Sequence, residues 1–166
     1  MLRFPVLSEG AEYLVMGHLM RRNILTYKAP PMNEGYDLIC IHPDPRRDGK
    51  GSNDAPSLRI QVKSRYASDC DRAFPIKEDK LDCFDFLVVA FLNAGNFLTG
   101  AKDGKTGRRD PEFYTLSSDF IKAHHDNSSV WQKVRLSGVL EEIEQFRNEL
   151  GFELIAERLG IPPLSR

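Results

Sequence analysis

Residues 58–65 constrain the fold more than any other stretch, because leucine, isoleucine and valine there alternate with arginine, glutamine and lysine. This period of two predicts a half-buried β-strand. Gln61 and Lys63 lie two positions apart, so their side chains project from the same face of that strand. An exposed sheet edge and a site for a metal ion and a phosphate both fit an amide beside an ammonium. The distinction depends on whether the preceding chain delivers carboxylates to the same place.

The composition indicates a globular chain without a strong charge bias. The 166 residues are enough for one domain with a real core, and 41% are hydrophobic and 28% charged. The 23 basic residues nearly balance the 24 acidic ones, which neither requires nor excludes a nucleic-acid partner. The cysteines lack zinc-ligand spacing, no apolar run approaches the roughly 20 residues of a membrane span, and the N-terminus lacks the apolar core of a signal peptide. We therefore expect a cytoplasmic protein with reduced thiols that does not bind membranes.

The order of the predicted elements favours an α/β domain with a mixed central β-sheet flanked by helices. The first element is a helix that begins near Ser8, and buried strands follow it. We expect one domain over residues 1–166, with its core at about residues 8–136. Strands are predicted at residues 36–42, 58–64 and 84–92, and C-terminal helices at 139–150 and 152–159 with Gly151 between them.

A carboxylate reaches the face of Gln61 and Lys63 if the strands at 36–42 and 58–64 pair antiparallel, as neighbours in sequence usually do. Without an offset, facing position numbers sum to about 100, so that Asp37 lies opposite Lys63 and close to Gln61. Asp44 completes a literal Pro-Asp sequence but lies about 17 Å farther along. The predicted pairing therefore favours Asp37 over Asp44.

These side chains, with Glu12 from the first helix, have the chemistry of a metal site. Glu12 shares a helix face with apolar residues, where a carboxylate needs a partner unless it reaches solvent at the helix edge. Mg²⁺ takes oxygen ligands from carboxylates, amide carbonyls and water, and Asp37, Gln61 and Glu12 can supply them. Lys63 can orient a water or stabilise charge on a phosphate. This donor set suits metal-assisted hydrolysis of a phosphodiester.

Residues 35–39 and 58–65 resemble the PD-(D/E)xK nuclease superfamily. Residues 10–12, with Leu19 and Asn23, are similar to the first helix of archaeal Holliday junction resolvases. The resemblance covers the chain well up to residue 65 and implies a restriction-endonuclease-like core. It also implies Mg²⁺ as cofactor, with Mn²⁺ as a substitute, DNA as substrate, and a homodimer or higher homo-oligomer.

The resemblance implies specific roles for four residues. Glu12, Asp37 and Gln61 would hold the metal, and Lys63 would position the attacking water. Tyr36 replaces the proline of the motif, which is a minor change. Gln61 replaces an acidic residue, which removes a negative charge and is expected to weaken metal binding. A Gln-x-Lys version occurs in active branches of the superfamily, including a group I intron homing endonuclease.

The sequence thus predicts a Mg²⁺-dependent endodeoxyribonuclease and leaves two alternatives open. The chain could keep the fold as a non-catalytic DNA-binding or assembly module, or Asp37 and Lys63 could form a salt bridge that only orders the sheet. Basic residues in two loops could contact the DNA backbone or simply serve solubility. These residues are Arg46, Arg47, Lys50, Lys102, Lys105, Arg108 and Arg109.

Overall fold

The computed structural model describes residues 5–47, 54–69, 72–95, 107–130 and 132–164. Short 3-10 turns span Glu78–Lys80, Leu136–Gly138 and Glu144–Phe146. The helices are α1 (Pro5–Arg21), α2 (Ser118–Ala123), α3 (Leu140–Ile143) and α4 (Glu149–Arg158). The strands are β1 (Leu25–Lys28), β2 (Leu38–Ile41), β3 (Ser57–Arg65), β4 (Ala73–Pro75), β5 (Phe86–Phe91), β6 (Glu112–Ser117), β7 (His125–Asp126) and β8 (Lys133–Arg135).

The main sheet has five strands in the order β1-β2-β3-β5-β6. β3 and β5 run parallel, and the other neighbours are antiparallel. Every residue of β5 is buried, as its continuous apolar run predicts. The predicted mixed sheet flanked by helices is therefore confirmed, and the strand with the alternating pattern lies at its centre.

Helices α1 and α4 cover one face of this sheet, and a smaller sheet with α2 and α3 covers the other. α1 and α4 pack with Leu38, Ile60 and Val88 in the first core cluster. The three-stranded sheet β4-β8-β7 packs with Leu87 and Val89 in the second cluster. Because side chains alternate along β3, its polar residues face the smaller sheet while Ile60 faces the helices.

The predicted boundary at Gly151 is wrong. Gly151 lies inside α4, and the break before that helix falls at Asn148, which has a positive φ of 49°. A Cβ atom at position 151 would lie 2.3 Å from the carbonyl oxygen of Phe146 and 2.9 Å from the Cβ of Thr115. Glycine is therefore required there for close packing of helix against sheet, and not as a helix stop. The start at Ser8 is also wrong, because α1 already begins at Pro5.

A partly buried ion pair joins the first and last helices. Arg22, directly after α1, donates from Nε and Nη2 to the carboxylate of Glu153 at 2.7 and 2.6 Å, and from Nη2 to the carbonyl of Pro162 at 2.9 Å. Its side chain is 1% exposed. This bidentate contact fixes α1 against α4 on the helical side of the sheet.

In the described part of the chain, no helix combines the length and apolar character needed to cross a membrane.

Candidate active site

Asp37 ends the ladder between β2 and β3 with its own side chain. Its N–H donates to the carbonyl of Ile60 at 2.8 Å, and its carboxylate oxygen Oδ2 accepts the N–H of Val62 at 2.7 Å. In a continuing antiparallel ladder that N–H would bond to a carbonyl of the partner strand. The side chain takes its place, so the two strands separate here without leaving the Val62 donor unpaired.

The predicted register is corrected by two residues. Leu38 faces Ile60, so facing numbers sum to 98 and not 100. Continued by one position, this register puts Asp37 opposite Gln61 rather than Lys63. The ladder ends before Asp37, and the Asp37 carboxylate lies against the Val62 N–H, next to the β3 residues Gln61 and Lys63 in the sequence.

Gln61 and Lys63 line a cleft of about 540 Å³ between β3 and the smaller sheet. The Oε1 atom of Gln61 is buried and has no hydrogen-bond partner among the described residues. A buried amide oxygen without a protein partner is costly unless water or an ion contacts it, so Oε1 is free to accept a contact from the cleft. The other residues along the cleft are Glu34, Gly35, Pro75, Ile76, Lys77, Lys80, Val130 and Gln132.

Lys63 and Asp37 do not form the salt bridge that one alternative requires. Among the residues that the structure describes, Lys63 has no carboxylate within 4.0 Å, and Asp37 has no cationic partner. Asp37 instead uses its Oδ2 oxygen on a backbone N–H. The purely sheet-ordering salt bridge is therefore wrong, and both charged groups remain available.

Glu12 is paired with a lysine of the first strand. Its Oε2 atom contacts Lys28 Nζ at 2.6 Å, and Glu9 contacts the same ammonium at 3.4 Å. Lys28 faces Leu38 across β1 and β2, on the side of the sheet that α1 covers. The hydrogen bond and charge of Glu12 raise the pKa of Lys28. The partner predicted to be necessary for Glu12 is thus a lysine of β1.

Asp44 lies beyond the other end of β2 from Asp37. Its carboxylate accepts two bonds from the Arg46 guanidinium, at 3.0 and 3.1 Å, and one from the Arg46 backbone N–H at 3.0 Å. The Arg46 side chain and backbone contacts lower the pKa of Asp44. The literal Pro-Asp therefore forms a local turn, and the geometry keeps Asp37 beside Gln61.

The basic loop residues differ in whether they contact another residue of the chain. Arg47 donates to the carbonyl of Gly160 at 2.5 Å, and Arg109 donates to Ser68 Oγ at 2.6 Å, so both have partners within the chain. Arg46 is engaged by Asp44, and Arg108 is exposed. Lys50, Lys102 and Lys105 lie outside the described residues.

Sequence reasoning missed the wall of the cleft opposite β3. Lys77 and Lys80 come from the segment after β4 and face the cleft together with Gln132 from the β8 side. The Oε1 atom of Gln132 accepts the N–H of Glu78 at 2.5 Å and so connects these two segments. The three-residue β4 pairs with β8, about sixty positions away. In the sequence, only the spacing of Lys77 and Lys80, three residues apart, could have indicated this wall.

The donor set fits a divalent cation in part. Asp37 offers a carboxylate, and Gln61 offers a buried amide oxygen without a partner, which are ligand types that hard cations prefer. Across the described residues, however, no three His, Cys, Asp or Glu side chains come together in a way that could hold a metal ion. A cation here would bind through Asp37, Gln61 and water, and through Glu12 only if Glu12 left Lys28.

Comparison with solved structures finds a similar fold in I-Ssp6803I, a bacterial homing endonuclease. The match covers 96% of each chain with a TM-score of 0.52 and 16% identical residues. The chain has a nuclease-like fold. No protein-family model matches the sequence, and the comparison with curated proteins finds no match. At this identity the likeness concerns the fold, and the chemistry has to be argued from the side chains.

Proposed function

We propose that this chain is a metal-dependent DNA endonuclease that hydrolyses phosphodiester bonds. The observation that carries the proposal is the contact between the Asp37 carboxylate and the Val62 N–H at 2.7 Å. It holds the carboxylate beside the β3 segment from which Gln61 and Lys63 enter the cleft. In this proposal the carboxylate, the amide oxygen and the ammonium act together at one end of β2.

The side chains divide the chemistry between them. When bound, Mg²⁺ or Mn²⁺ would supply Lewis acidity toward a phosphate oxygen and a water. Asp37 would hold the cation with its carboxylate, and Gln61 with the amide oxygen that has no partner among the described residues. Lys63 would orient the attacking water or stabilise the charge that develops on the phosphate. Glu12 would contribute from α1 after exchanging its contact with Lys28.

The test is cleavage of plasmid, branched and single-stranded DNA with Mg²⁺ or Mn²⁺ by wild type and two aspartate variants. Asp37→Asn keeps an oxygen that can accept the Val62 N–H but removes the charge. We expect its cleavage rate to fall by about 100-fold or more. Asp44→Asn is the matched control, because Asp44 flanks the same strand at its other end, and it should cleave like wild type. Equal rates for the two variants would contradict the proposed site.

The neutral Gln61 favours a second candidate, a DNA-binding module without catalysis. Gln61 contributes no charge, and Glu12 is occupied by Lys28, so the site holds fewer free carboxylates than the resemblance implies. Calorimetric titration with Mn²⁺ separates the two candidates. Binding of Mn²⁺ that Asp37→Asn abolishes supports the nuclease. DNA binding without measurable metal binding supports the module.

We also propose that two copies associate through the outer face of α1. Val6, Tyr13, Leu14 and Met20 are 42% to 72% exposed on this face, and a Cβ atom at Gly10 or Gly17 would meet nothing within 4 Å. In an antiparallel pairing about a two-fold axis between positions 13 and 14, Gly10 of one copy meets Gly17 of the other. Sedimentation of wild type and Tyr13→Glu tests this surface, with a dimer expected only for wild type.

A further inference from the structure

The wall of the cleft opposite Lys63 carries two further lysines and one carboxylate. Lys77 and Lys80 line the same space as Gln61 and Lys63. In the described part of the chain, Lys63 and Lys77 have no ion-pair partner, and Lys80 is held by Glu34. Three ammonium groups and a single carboxylate therefore line one cleft, which favours a polyanionic ligand there.

Glu34 and Lys80 form an exposed contact that can exchange with a ligand. Lys80 Nζ donates to Glu34 Oε2 at 2.5 Å, and the Glu34 side chain is 77% exposed while that of Lys80 is 30% exposed. Lys80, by hydrogen bond and charge, and then Lys77 by charge, lower the pKa of Glu34. Glu34 is thus an anion within the field of both lysines. Releasing so exposed a carboxylate to water costs little.

The backbone around Glu34 is anchored, so the exchange involves the side chain alone. Gly35 has a φ of +97°, and a Cβ atom there would lie 2.3 Å from the Cβ of Cys83. The N–H of Cys83 in turn donates to the carbonyl of Lys80 at 3.1 Å. The close approach of Gly35 to Cys83 therefore holds the Glu34 loop against the segment that carries Lys80.

We propose that Lys77 and Lys80 bind a backbone phosphate of the nucleic acid, and that Glu34 occupies Lys80 until this phosphate displaces it. The identity of the ligand rests on the proposed function, since the cleft also holds Gln61 and Lys63. A phosphodiester carries a full negative charge and several acceptor oxygens, so it can contact both lysines at once. Glu34 offers one carboxylate that is tethered to the protein, and it competes from inside the cleft.

The test is DNA binding in EDTA, measured by fluorescence anisotropy of a labelled duplex over a series of salt concentrations. The double variant Lys77→Ala/Lys80→Ala should bind about tenfold more weakly, and its dependence of log K on log salt should fall by about 2. Glu34→Gln should bind several-fold more tightly than wild type, because the competing anion is removed. The two changes therefore have opposite signs.

The ion pair between Lys122 and Asp82 supplies a matched control. It is an exposed contact of 2.7 Å, only two residues from Lys80 in sequence and absent from the lining of the cleft. Asp82→Asn and Lys122→Ala alter net charge by the same amounts as Glu34→Gln and a single lysine change. We expect both controls to bind DNA like wild type. If Glu34→Gln behaves like Asp82→Asn, or the lysine variants behave like Lys122→Ala, the proposal is overturned.

Two further arms separate this proposal from catalysis and from free phosphate. Binding in EDTA does not depend on cleavage. If the protein cleaves no DNA but the lysine variant binds DNA more weakly and Glu34→Gln binds it more tightly, the nuclease proposal is refuted and the proposed phosphate contacts of Lys77 and Lys80 are supported. Millimolar inorganic phosphate at constant ionic strength should compete only weakly with duplex. Full competition by phosphate would overturn the assignment to a nucleic-acid backbone and identify a site for the free anion.

Discussion

Each of the two neighbours of β3 is preceded by an aspartate that contacts the β3 backbone with both its N–H and its carboxylate. On the β2 side, the N–H of Asp37 donates to Ile60 and its carboxylate accepts from Val62, at 2.8 and 2.7 Å. On the β5 side, the N–H of Asp85 donates to the Arg59 carbonyl and its carboxylate accepts the Arg59 N–H, again at 2.8 and 2.7 Å. Each aspartate starts a strand by bonding to β3.

The two aspartates differ in the charge that accompanies them. The Arg59 guanidinium contacts both oxygens of Asp85 at 3.2 Å, and Asp85 raises the pKa of Arg59. Among the described residues, Asp37 has no such cation. A carboxylate that only begins a strand can thus be neutralised by its neighbour. Asp37 has no ion-pair partner among the described residues, which is the arrangement that the proposed cation site requires.

The largest expected effect is on catalysis at Lys63. Lys63→Met keeps the aliphatic stem and removes the ammonium, so cleavage should slow by about 10³-fold while the melting temperature stays within about 2 °C of wild type. Single-turnover cleavage and thermal melting measure the two quantities. Lys133→Met in β8 is the control for loss of a lysine. If it slows cleavage to a similar extent, the role proposed for Lys63 is contradicted.

The next largest effect separates Asp37 from Asp85 directly. At Mn²⁺ concentrations about 100 times Kd, binding to the folded state adds about 2.7 kcal/mol, which raises the melting temperature by about 5–10 °C. We expect this increase in wild type and in Asp85→Asn, although the latter starts from a lower melting temperature. Asp37→Asn should show no increase. An increase in Asp37→Asn, or none in Asp85→Asn, would reverse the assignment of roles.

A smaller effect is expected at Gly35, which places the loop between β1 and Asp37. Gly35→Ala adds a Cβ atom against Cys83 at a positive φ, and we expect it to lower the free energy of unfolding by about 1–3 kcal/mol. Gly17→Ala is the control of opposite sign, because open space surrounds that helical position. It should stabilise the monomer by about 0.5–1 kcal/mol. Urea unfolding of both variants measures the difference.

The smallest expected effect is a difference in thiol reactivity between Cys40 and Cys83. Cys40 lies under α1 with its thiol 3.7 Å from Thr26 Oγ1, and burial raises its pKa to about 12. At pH 8 it should therefore stay protonated and resist alkylation. Cys83, partly exposed behind Gly35, should react. Peptide mapping after iodoacetamide treatment distinguishes them, and rapid labelling of Cys40 would show that the helical side opens.

Periodicity and chain order were sufficient to predict the mixed sheet and the strand that carries Gln61 and Lys63. The alternation in residues 58–65 predicted which side chains share a face, and the apolar run in β5 predicted a buried strand. The register was wrong by two residues because the sequence between β2 and β3 is too long to set an offset, and because the Asp37 side chain ends the ladder. Asp37 still contacts β3 between Gln61 and Lys63, through the Val62 N–H.

Other parts of the site depend on contacts that local patterns cannot indicate. Glu12 contacts Lys28 because β1 pairs with β2 beneath α1, and the sequence alone offered no way to choose among its possible cations. The paired roles of Glu34 and Lys80 depend on the docking of two loops at Gly35 and Cys83. These contacts join residues 46 to 48 positions apart, and neither loop has a regular period.

The parallel pairing of β3 with β5 has a consequence for how such a protein can diversify. Parallel neighbours need a crossover between them, and here residues 66–85 form that crossover, which carries β4 with Lys77 and Lys80. The wall opposite β3 is therefore part of a connection whose length and charge can change while the strands keep their register. If the cleft binds nucleic acid as we propose, changes in this segment would alter which ligands fit it while Asp37, Gln61 and Lys63 stay the same.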